Sequence, residues 1–335
     1  MKISLLDCTL RDGGYVNNWM FGLPEIVGIV SALEKANTNI IELGFLRDTQ
    51  PNINSTSFAK MEDINSILQK KKDVIYSAMI EAFNPYPLGK LSKRNDDGVD
   101  LIRVCIWKKN IVEHIQYCKE VAQKGYLLSI QPSRVEQYND EEFIDMLKRC
   151  NDLNPYSVYV VDTWGTQSAE QIEHYFELAD QYLSSSIRIG YHGHNNKYQA
   201  LSCAQKVLQM NVKHDLCIDS SIMGMGRGAG NLNTEVIMEY INGSIGSAYD
   251  TKQIVNAFNE YLQRIYNENH WGYSLYYFLS ATYRTNPNFA TYFEQKEYSL
   301  ECFEEFLSIL SEQEKIVFNA SFVEKKLRIM QGDQL

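Results

Sequence analysis

Two polar motifs at the ends of apolar runs are the residues of this chain most able to do chemistry. Arg11 and Asp12 follow the first apolar run, and His192 and His194 follow a run much later in the chain. The histidines are two residues apart, with only Gly193 between them, so on a strand both side chains point to the same side. Two imidazoles and one carboxylate leave open positions on an octahedral divalent metal ion. These residues therefore predict a metal site.

A metal ion beside an arginine suits chemistry in which negative charge builds up on a carbonyl oxygen. A 2-oxo acid could fill two open metal positions, and the metal would act as a Lewis acid on its carbonyl. Arg11 keeps its charge at any ordinary pH and would stabilise an enolate as it forms. The alternative is an ordinary surface pair at Arg11 and Asp12 and a pair of core histidines. Because both segments stand at strand ends, we prefer an enzyme.

A glycine-rich segment from Gly224 to Asn231 follows the last apolar run. It matches a dinucleotide-binding pattern, but only weakly, because it comes after the last strand of a series instead of the first. Such a loop can bind phosphate or carboxylate through its backbone N–H groups. Asn231 could reach the metal site as a ligand or as a partner of a ligand. The alternative is a tight turn that needs glycine.

Eight short apolar runs alternate with amphipathic, helix-like segments, for example Phe58 to Lys70. The runs are Ile3 to Leu10, Ile40 to Phe45, Val74 to Ile80, Leu101 to Ile106, Tyr126 to Ile130, Val158 to Val161, Ile187 to Tyr191 and Leu216 to Ile222. They are apolar on both faces, as in a covered parallel sheet, and this pattern predicts a (β/α)8 TIM barrel. An open doubly wound sheet is the alternative. In a barrel, strands one and seven share a layer, which brings Asp12, His192 and His194 together at the catalytic face.

The pattern divides the chain into a catalytic barrel domain at 1–245 and a helical extension at 246–335. Aromatic residues are frequent from Trp271 to Phe293. They indicate either plain core packing, or an extension that covers the barrel mouth or offers an oligomer or partner surface. The connection from Glu81 to Val99 is long, which suits an active-site lid or a simple surface insertion.

Composition narrows the class of protein further. The formal net charge is −10, which argues against a nucleic-acid partner. Seven cysteines without a CxxC pair indicate buried, reduced thiols. No apolar run approaches the roughly 18 residues of a membrane span, and the first residues do not look like a signal peptide. We expect a cytoplasmic protein with no membrane partner.

Five segments carry a resemblance to a known superfamily. They are Asp7 to Gly14, Ile41 to Phe45, Val161 to Gly165, His192 to Asn195 and Gly226 to Asn231. In this order they resemble the DRE-TIM metallolyases, the superfamily of hydroxymethylglutaryl-CoA (HMG-CoA) lyase, isopropylmalate synthase and 4-hydroxy-2-oxovalerate aldolase. The resemblance covers about residues 1–240 and is nearest to the aldolase type, and Gly272-Tyr273-Ser274 is similar to an aromatic segment of those aldolases.

The resemblance implies that Asp12, His192 and His194 bind a divalent ion, commonly Mn²⁺ or Mg²⁺, with Co²⁺ or Zn²⁺ as further candidates. It also implies that Arg11 stabilises the enolate of a 2-oxo acid. In the lyase branch the residue that matches Asn231 is a ligand as well.

One position departs from the aldolase pattern. The aldolases carry a histidine that serves as acid or base three residues after the metal aspartate, where this chain has Tyr15. A phenol has an ordinary pKa of about 10 and is a poor base at neutral pH. Glu42 and Tyr273 are therefore further candidates, beside Tyr15, for the proton-transfer step.

The sequence thus predicts a metal-dependent carbon–carbon lyase, an aldolase that joins or releases pyruvate, or a related 2-oxo acid, and an aldehyde. One alternative is a synthase that condenses an acyl-CoA with a 2-oxo acid. Another is a barrel subunit with a structural or partner-binding role. We expect small-molecule substrates, a homo-oligomer, and a partner enzyme that docks on the C-terminal helices.

Overall fold

A closed barrel of eight parallel strands forms the larger part of the molecule. The structure is a computed structural model, and it describes residues 2–330. The barrel strands are β1 (Ile3–Asp7), β2 (Ile40–Leu46), β3 (Ile75–Glu81), β4 (Leu101–Ile106), β5 (Leu127–Pro132), β6 (Ser157–Asp162), β7 (Arg188–Gly193) and β8 (Leu216–Ser220). Each one corresponds to a predicted apolar run.

Closure of the sheet depends on β1, which pairs in parallel with both β2 and β8. Leu6 is in register with Ile40, and Ile3 with Leu216. Since neither side of β1 is left open, the predicted (β/α)8 TIM barrel is confirmed and the open doubly wound alternative is wrong.

Helices connect most of the strands on the outside of the barrel. They are Gly14–Asn17, Leu23–Lys35, Met61–Asn65, Ile111–Ala122, Asp140–Asn151, Ala169–Tyr182, Ala200–Gln209 and Thr234–Ile245, with 3₁₀ turns at Val135–Gln137 and Ile222–Gly224. Two of them begin with a capping box, in which Asn139 pairs with Glu142 and Ser168 pairs with Gln171. These reciprocal hydrogen bonds satisfy backbone N–H groups of the first turn and fix where each helix begins.

The helix predicted from Phe58 to Lys70 is wrong over most of its length. Ser57–Phe58 is instead a two-residue strand beside β2, and only Met61–Asn65 is helical. The backbone N–H of Arg47 donates to the carbonyl of Phe58. This pairing with the end of β2 outweighs the local helical preference.

The long connection between β3 and β4 contains no helix in the structure described. Phe83 from this connection lines a cavity at the barrel mouth. Tyr86 is buried, and its hydroxyl donates to the carbonyl of Ala59. The connection is therefore anchored and contributes to the cavity wall.

The C-terminal extension consists of helices, as predicted. They are Thr251–Ala257, a π-helical turn at Phe258–Leu262, Gln263–Glu268, Leu275–Thr282, Asn288–Gln295, Leu300–Ser308 and Ala320–Met330. Ile254 and Leu262 join the barrel core, as does Trp271. Phe289, Phe293 and their neighbours instead form a second, separate core.

This division of the cores lies after Trp271, whereas the sequence places the domain boundary at 245, and that boundary stays a prediction. All seven cysteines are free. Across residues 2–330, no helix combines the length and apolar character that crossing a membrane requires.

Candidate metal centre

Three predicted ligands meet at the C-terminal end of the barrel. Asp12 lies just after β1, His192 lies in β7, and His194 follows β7 directly. One ligand atom from each lies within 4.8 Å of the other two, and all three residues are buried. Strand parity alone predicted this meeting, and the closed barrel produces it.

Each imidazole is oriented through its Nδ1 atom. Nδ1 of His192 lies 2.9 Å from Oδ2 of Asp219, and Nδ1 of His194 lies 3.1 Å from the carbonyl oxygen of Arg227. These two acceptors select the tautomer that is protonated at Nδ1. Within residues 2–330, neither Nε2 atom has a hydrogen-bond partner, so both lone pairs are open to a metal ion.

Asn231 supplies a further oxygen beside the cluster. Its Nδ2 donates to Oδ2 of Asp12 at 2.8 Å and to the carbonyl of Met225 at 3.1 Å. Its Oδ1 is buried and, among the described residues, has no hydrogen-bond partner. A Cβ on Gly226 would stand 2.2 Å from Nδ2 of Asn231, so only glycine permits this approach. The donor set of two nitrogens and carboxylate and amide oxygens fits a divalent cation.

The charge states of the cluster also suit metal binding. Burial lowers the pKa of His194 to about 4, so this imidazole is neutral at pH 7. Burial raises the pKa of Asp12, but the charge of Arg11 and the hydrogen bond from Asn231 oppose it, and that pKa lies well below its ordinary value. A neutral imidazole and an ionised carboxylate are the forms that ligate metals.

A buried network of ion pairs holds Arg11 in place. Nε of Arg11 donates to Oε2 of Glu42 at 2.7 Å, and Nη1 of Arg103 donates to the same oxygen at 2.8 Å. Arg103 also pairs with Asp219 and donates to Oε1 of Gln131 at 3.0 Å. Sequence reasoning missed Arg103 and Asp219, although a charge inside an apolar strand was the signal that could have found them.

A cavity of about 330 Å³ opens directly above the cluster. Its wall includes Arg11, Asp12, Tyr15, His192 and His194. Asn286, Ile316 and Phe318 cover it from the C-terminal extension. The interpretation that the extension packs on the barrel mouth is therefore confirmed.

The structure separates the three candidates for proton transfer. Tyr15 lines the cavity, and desolvation raises the pKa of its hydroxyl above the ordinary value. Glu42 is fully buried between Arg11 and Arg103 and does not reach the cavity wall. Tyr273 stacks on Tyr198, with 4.5 Å between the ring centroids, and lines a neighbouring cavity. Only Tyr15 lies with the metal cluster.

Comparisons with known proteins agree with this geometry. Residues 103–260 match the model of the HMGL-like family. Oxaloacetate decarboxylase of Mycobacterium tuberculosis is 27% identical over 236 residues, which cover 70% of this chain and 68% of the relative. 4-Hydroxy-2-oxovalerate aldolase of a Marinomonas species is 24% identical over 249 residues, which cover 72% of this chain and 71% of the relative.

Solved structures share the fold. The N-terminal domain of a protein from Bacteroides vulgatus superposes with a TM-score of 0.75 at 22% identity, covering 89% of this chain and 98% of that one. HMG-CoA lyase from Brucella melitensis superposes with a TM-score of 0.64 at 14% identity. The superposition covers 79% of this chain and 98% of that one.

The barrel and its site thus define a lyase of the metal-dependent class. The match over residues 103–260 and these relatives confirm the predicted resemblance to the DRE-TIM metallolyases. The prediction of an enzyme of the carbon–carbon lyase type is also confirmed by the relatives, and the alternative of a non-catalytic barrel subunit is set aside.

Proposed function

We propose that this protein cleaves or forms an aldol bond between pyruvate, or a related 2-oxo acid, and an aldehyde. The observation that carries the proposal is that Arg11 shares one cavity with the free Nε2 atoms of His192 and His194. This pairing of a cation with a metal-binding cluster suits a reaction that passes through the enolate of a 2-oxo acid.

The ligands follow from the geometry of the cluster. Asp12, His192 and His194 would hold the divalent ion, and the unpartnered Oδ1 of Asn231 is the fourth candidate ligand. Mn²⁺ and Mg²⁺ are the first candidates because oxygen ligands favour them. When bound, the ion supplies Lewis-acid polarisation of the 2-oxo group.

Arg11 stabilises the negative oxygen of the enolate. Its Nε donates a hydrogen bond to Glu42, and its Nη1 donates one to Asp12. In the part of the chain that the structure describes, its Nη2 donates no hydrogen bond. The guanidinium is thus held from two sides while Nη2 keeps its donors for a substrate oxygen.

Tyr15 holds the proton at neutral pH because its pKa is raised. A protonated phenol suits delivery of a proton to the enolate carbon. It is poorly suited to removing a proton from the hydroxyl group of an aldol substrate, which aldol cleavage requires.

This property of Tyr15 favours a second candidate, decarboxylation of a 2-oxo dicarboxylic acid. In that reaction the carbon–carbon bond breaks, its electron pair remains on the enolate, and carbon dioxide leaves. The phenol of Tyr15 then donates its proton to the enolate carbon, and solvent returns a proton to Tyr15. No base is needed to start the reaction.

Exchange of the pyruvate methyl protons with deuterated water tests enolate formation. NMR should show exchange in the presence of protein and Mn²⁺ or Mg²⁺. Arg11→Gln should abolish this exchange without loss of bound metal, whereas the partly exposed control Arg149→Gln should behave as wild type. Absence of exchange with every divalent metal would contradict the aldol reaction. Decarboxylation starts without proton removal, and release of carbon dioxide from oxaloacetate tests it separately. Exchange that requires an acyl-CoA would instead favour the condensing synthase.

A further inference from the structure

Arg134 is an uncompensated cation on the wall of the cavity. It follows β5 and lines the same cavity as Arg11 and the metal cluster. Among the described residues, its guanidinium donates no hydrogen bond and forms no ion pair. Arg11, by contrast, pairs with two carboxylates, Asp12 in the cavity wall and Glu42 beneath it.

Aromatic rings fix the position of this guanidinium. Cζ of Arg134 lies 4.7 Å from the ring centroid of Trp107 and 5.5 Å from that of Trp164. Phe83 stacks on Trp107, with 4.1 Å between the two ring centroids. Stacking on aromatic faces restrains a guanidinium and leaves its N–H groups free to bind an anion.

The backbone of Arg134 is held in an unfavourable conformation. Its φ of 60° and ψ of 57° place it in the left-handed region, which is costly for a residue with a side chain. The backbone N–H donates to Oγ1 of Thr163 at 2.8 Å and keeps the residue in this conformation. This unfavourable backbone conformation places the side chain of Arg134 in the cavity wall.

A second arginine adds to the positive charge of the cavity. Within residues 2–330, the guanidinium of Arg227 donates only to neutral amides, to Oδ1 of Asn286 at 2.8 Å and to Oδ1 of Asn288 at 3.2 Å. Burial, and then the charge of Arg227, lower the pKa of Arg134. Burial also raises the pKa of neighbouring Glu136 to about 8, so its carboxyl group is neutral near pH 7 and does not balance Arg134.

We propose that Arg134, assisted by Arg227, binds a second carboxylate of the substrate. The substrate class is then a 2-oxo dicarboxylic acid, with the 2-oxo acid end at the metal cluster and Arg11. A guanidinium binds a carboxylate through two parallel hydrogen bonds, which a neutral aldehyde fragment cannot accept. This assignment rests on the proposed function, because it takes the metal cluster as the place of the 2-oxo acid end.

Matched pairs of ligands test the assignment through binding alone. Quenching of tryptophan fluorescence, to which Trp107 and Trp164 contribute, would follow titration with 2-oxoglutarate and with 2-oxovalerate, which has a methyl group in place of the distal carboxylate. 2-Oxoadipate and 2-oxohexanoate form a second pair. Wild-type protein with Mn²⁺ should bind each dicarboxylic acid at least tenfold more tightly than its partner.

Arg134→Gln should remove this preference and change the affinity for the monocarboxylic acids less than twofold. Arg134→Lys, which keeps the charge, should restore part of the preference, and the partly exposed control Arg149→Gln should keep all of it. Equal binding within each pair by the wild type would overturn the assignment. So would a preference that survives in Arg134→Gln.

The two proposals fail separately. If pyruvate exchange occurs but the dicarboxylic acids are not preferred, only the role of Arg134 is wrong. If the preference depends on Arg134 but no exchange occurs with any metal, the proposed function is wrong and the carboxylate subsite remains.

Discussion

The Nδ1 atom of His192 lies 2.9 Å from Oδ2 of Asp219, and that carboxylate also pairs with Arg103. Arg103 in turn shares Glu42 with Arg11. One buried chain of hydrogen bonds therefore joins a candidate metal ligand to the cation that would stabilise the enolate. Such a chain holds both groups in fixed positions, which is what electrostatic stabilisation of a transition state requires.

Replacement of His192 by alanine should abolish metal retention. The variant loses one of three clustered ligands, and the remaining pair cannot hold the ion tightly. Metal content after dialysis, measured by mass spectrometry, checks the outcome. His174→Ala is the control, because His174 lies on the surface and pairs with Asp140. Unchanged metal content in the His192 variant would show that the ligand assignment is wrong.

Asp219→Asn should weaken metal binding about 10–100-fold without removing a ligand, because an amide orients the imidazole of His192 less firmly than a carboxylate. Competition with a chelator measures the affinity. Asp145→Asn, which changes an exposed partner of Arg149, should leave the affinity unchanged. A positioning role also predicts that the pH midpoint of metal binding moves, and an affinity equal to wild type at every pH would contradict it.

Tyr15→Phe should slow pyruvate exchange about 100-fold or more while the protein keeps its metal. The reason is that the variant loses the proton donor on the cavity wall, and general acid catalysis typically contributes about 10²–10⁴-fold. Tyr273→Phe, which changes the residue in the neighbouring cavity, should retain most of the rate. A larger loss in Tyr273→Phe than in Tyr15→Phe would reverse the assignment.

Glu136→Gln should stabilise the protein more at pH 8 than at pH 5. Burial raises the pKa of Glu136 from 4.5 to about 8, in surroundings that include Asp162, Arg134 and Arg284. A raised pKa means that the folded state favours the neutral acid, so wild-type stability falls as the pH rises through this window. The glutamine variant has no such loss.

Thermal unfolding of wild type and Glu136→Gln at several pH values checks this. We expect the difference in melting temperature to grow by roughly 2–4 °C between pH 5 and pH 8. Glu141→Gln, on the exposed side of a helix start, should show no such trend. A difference that stays constant with pH would exclude titration of Glu136 as the cause.

Phe293→Ala should loosen the C-terminal extension and leave the barrel folded. Phe293 is fully buried in the second core, and such truncations cost about 3–5 kcal/mol. Limited proteolysis should then cut within residues 275–330 while the barrel stays intact. Phe278→Ala is the control, since Phe278 is 39% exposed. If Phe293→Ala unfolds the whole chain in one transition, the two cores are not independent.

The strands and the metal cluster were readable from the sequence, because both follow local periodicity. Apolar runs on both faces indicate covered parallel strands, and a spacing of two residues directs His192 and His194 to one side. The short strand at Ser57–Phe58, which replaces the start of the helix predicted from Phe58 to Lys70, was not readable in this way. Pairing of Ser57–Phe58 with β2 depends on a neighbouring strand, which no local pattern contains.

The sequence by itself determined the barrel and the residues that could ligate a metal, because chain order and alternation decide which strand ends share a layer. Only the tertiary structure decided that Asp219 orients His192, that Glu42 is enclosed by two arginines, and that the extension covers the cavity. Among the described residues, it also left Arg134 without an ion-pair partner. These relationships join segments far apart in the chain, and they exist only once the barrel closes and brings those segments within hydrogen-bond distance.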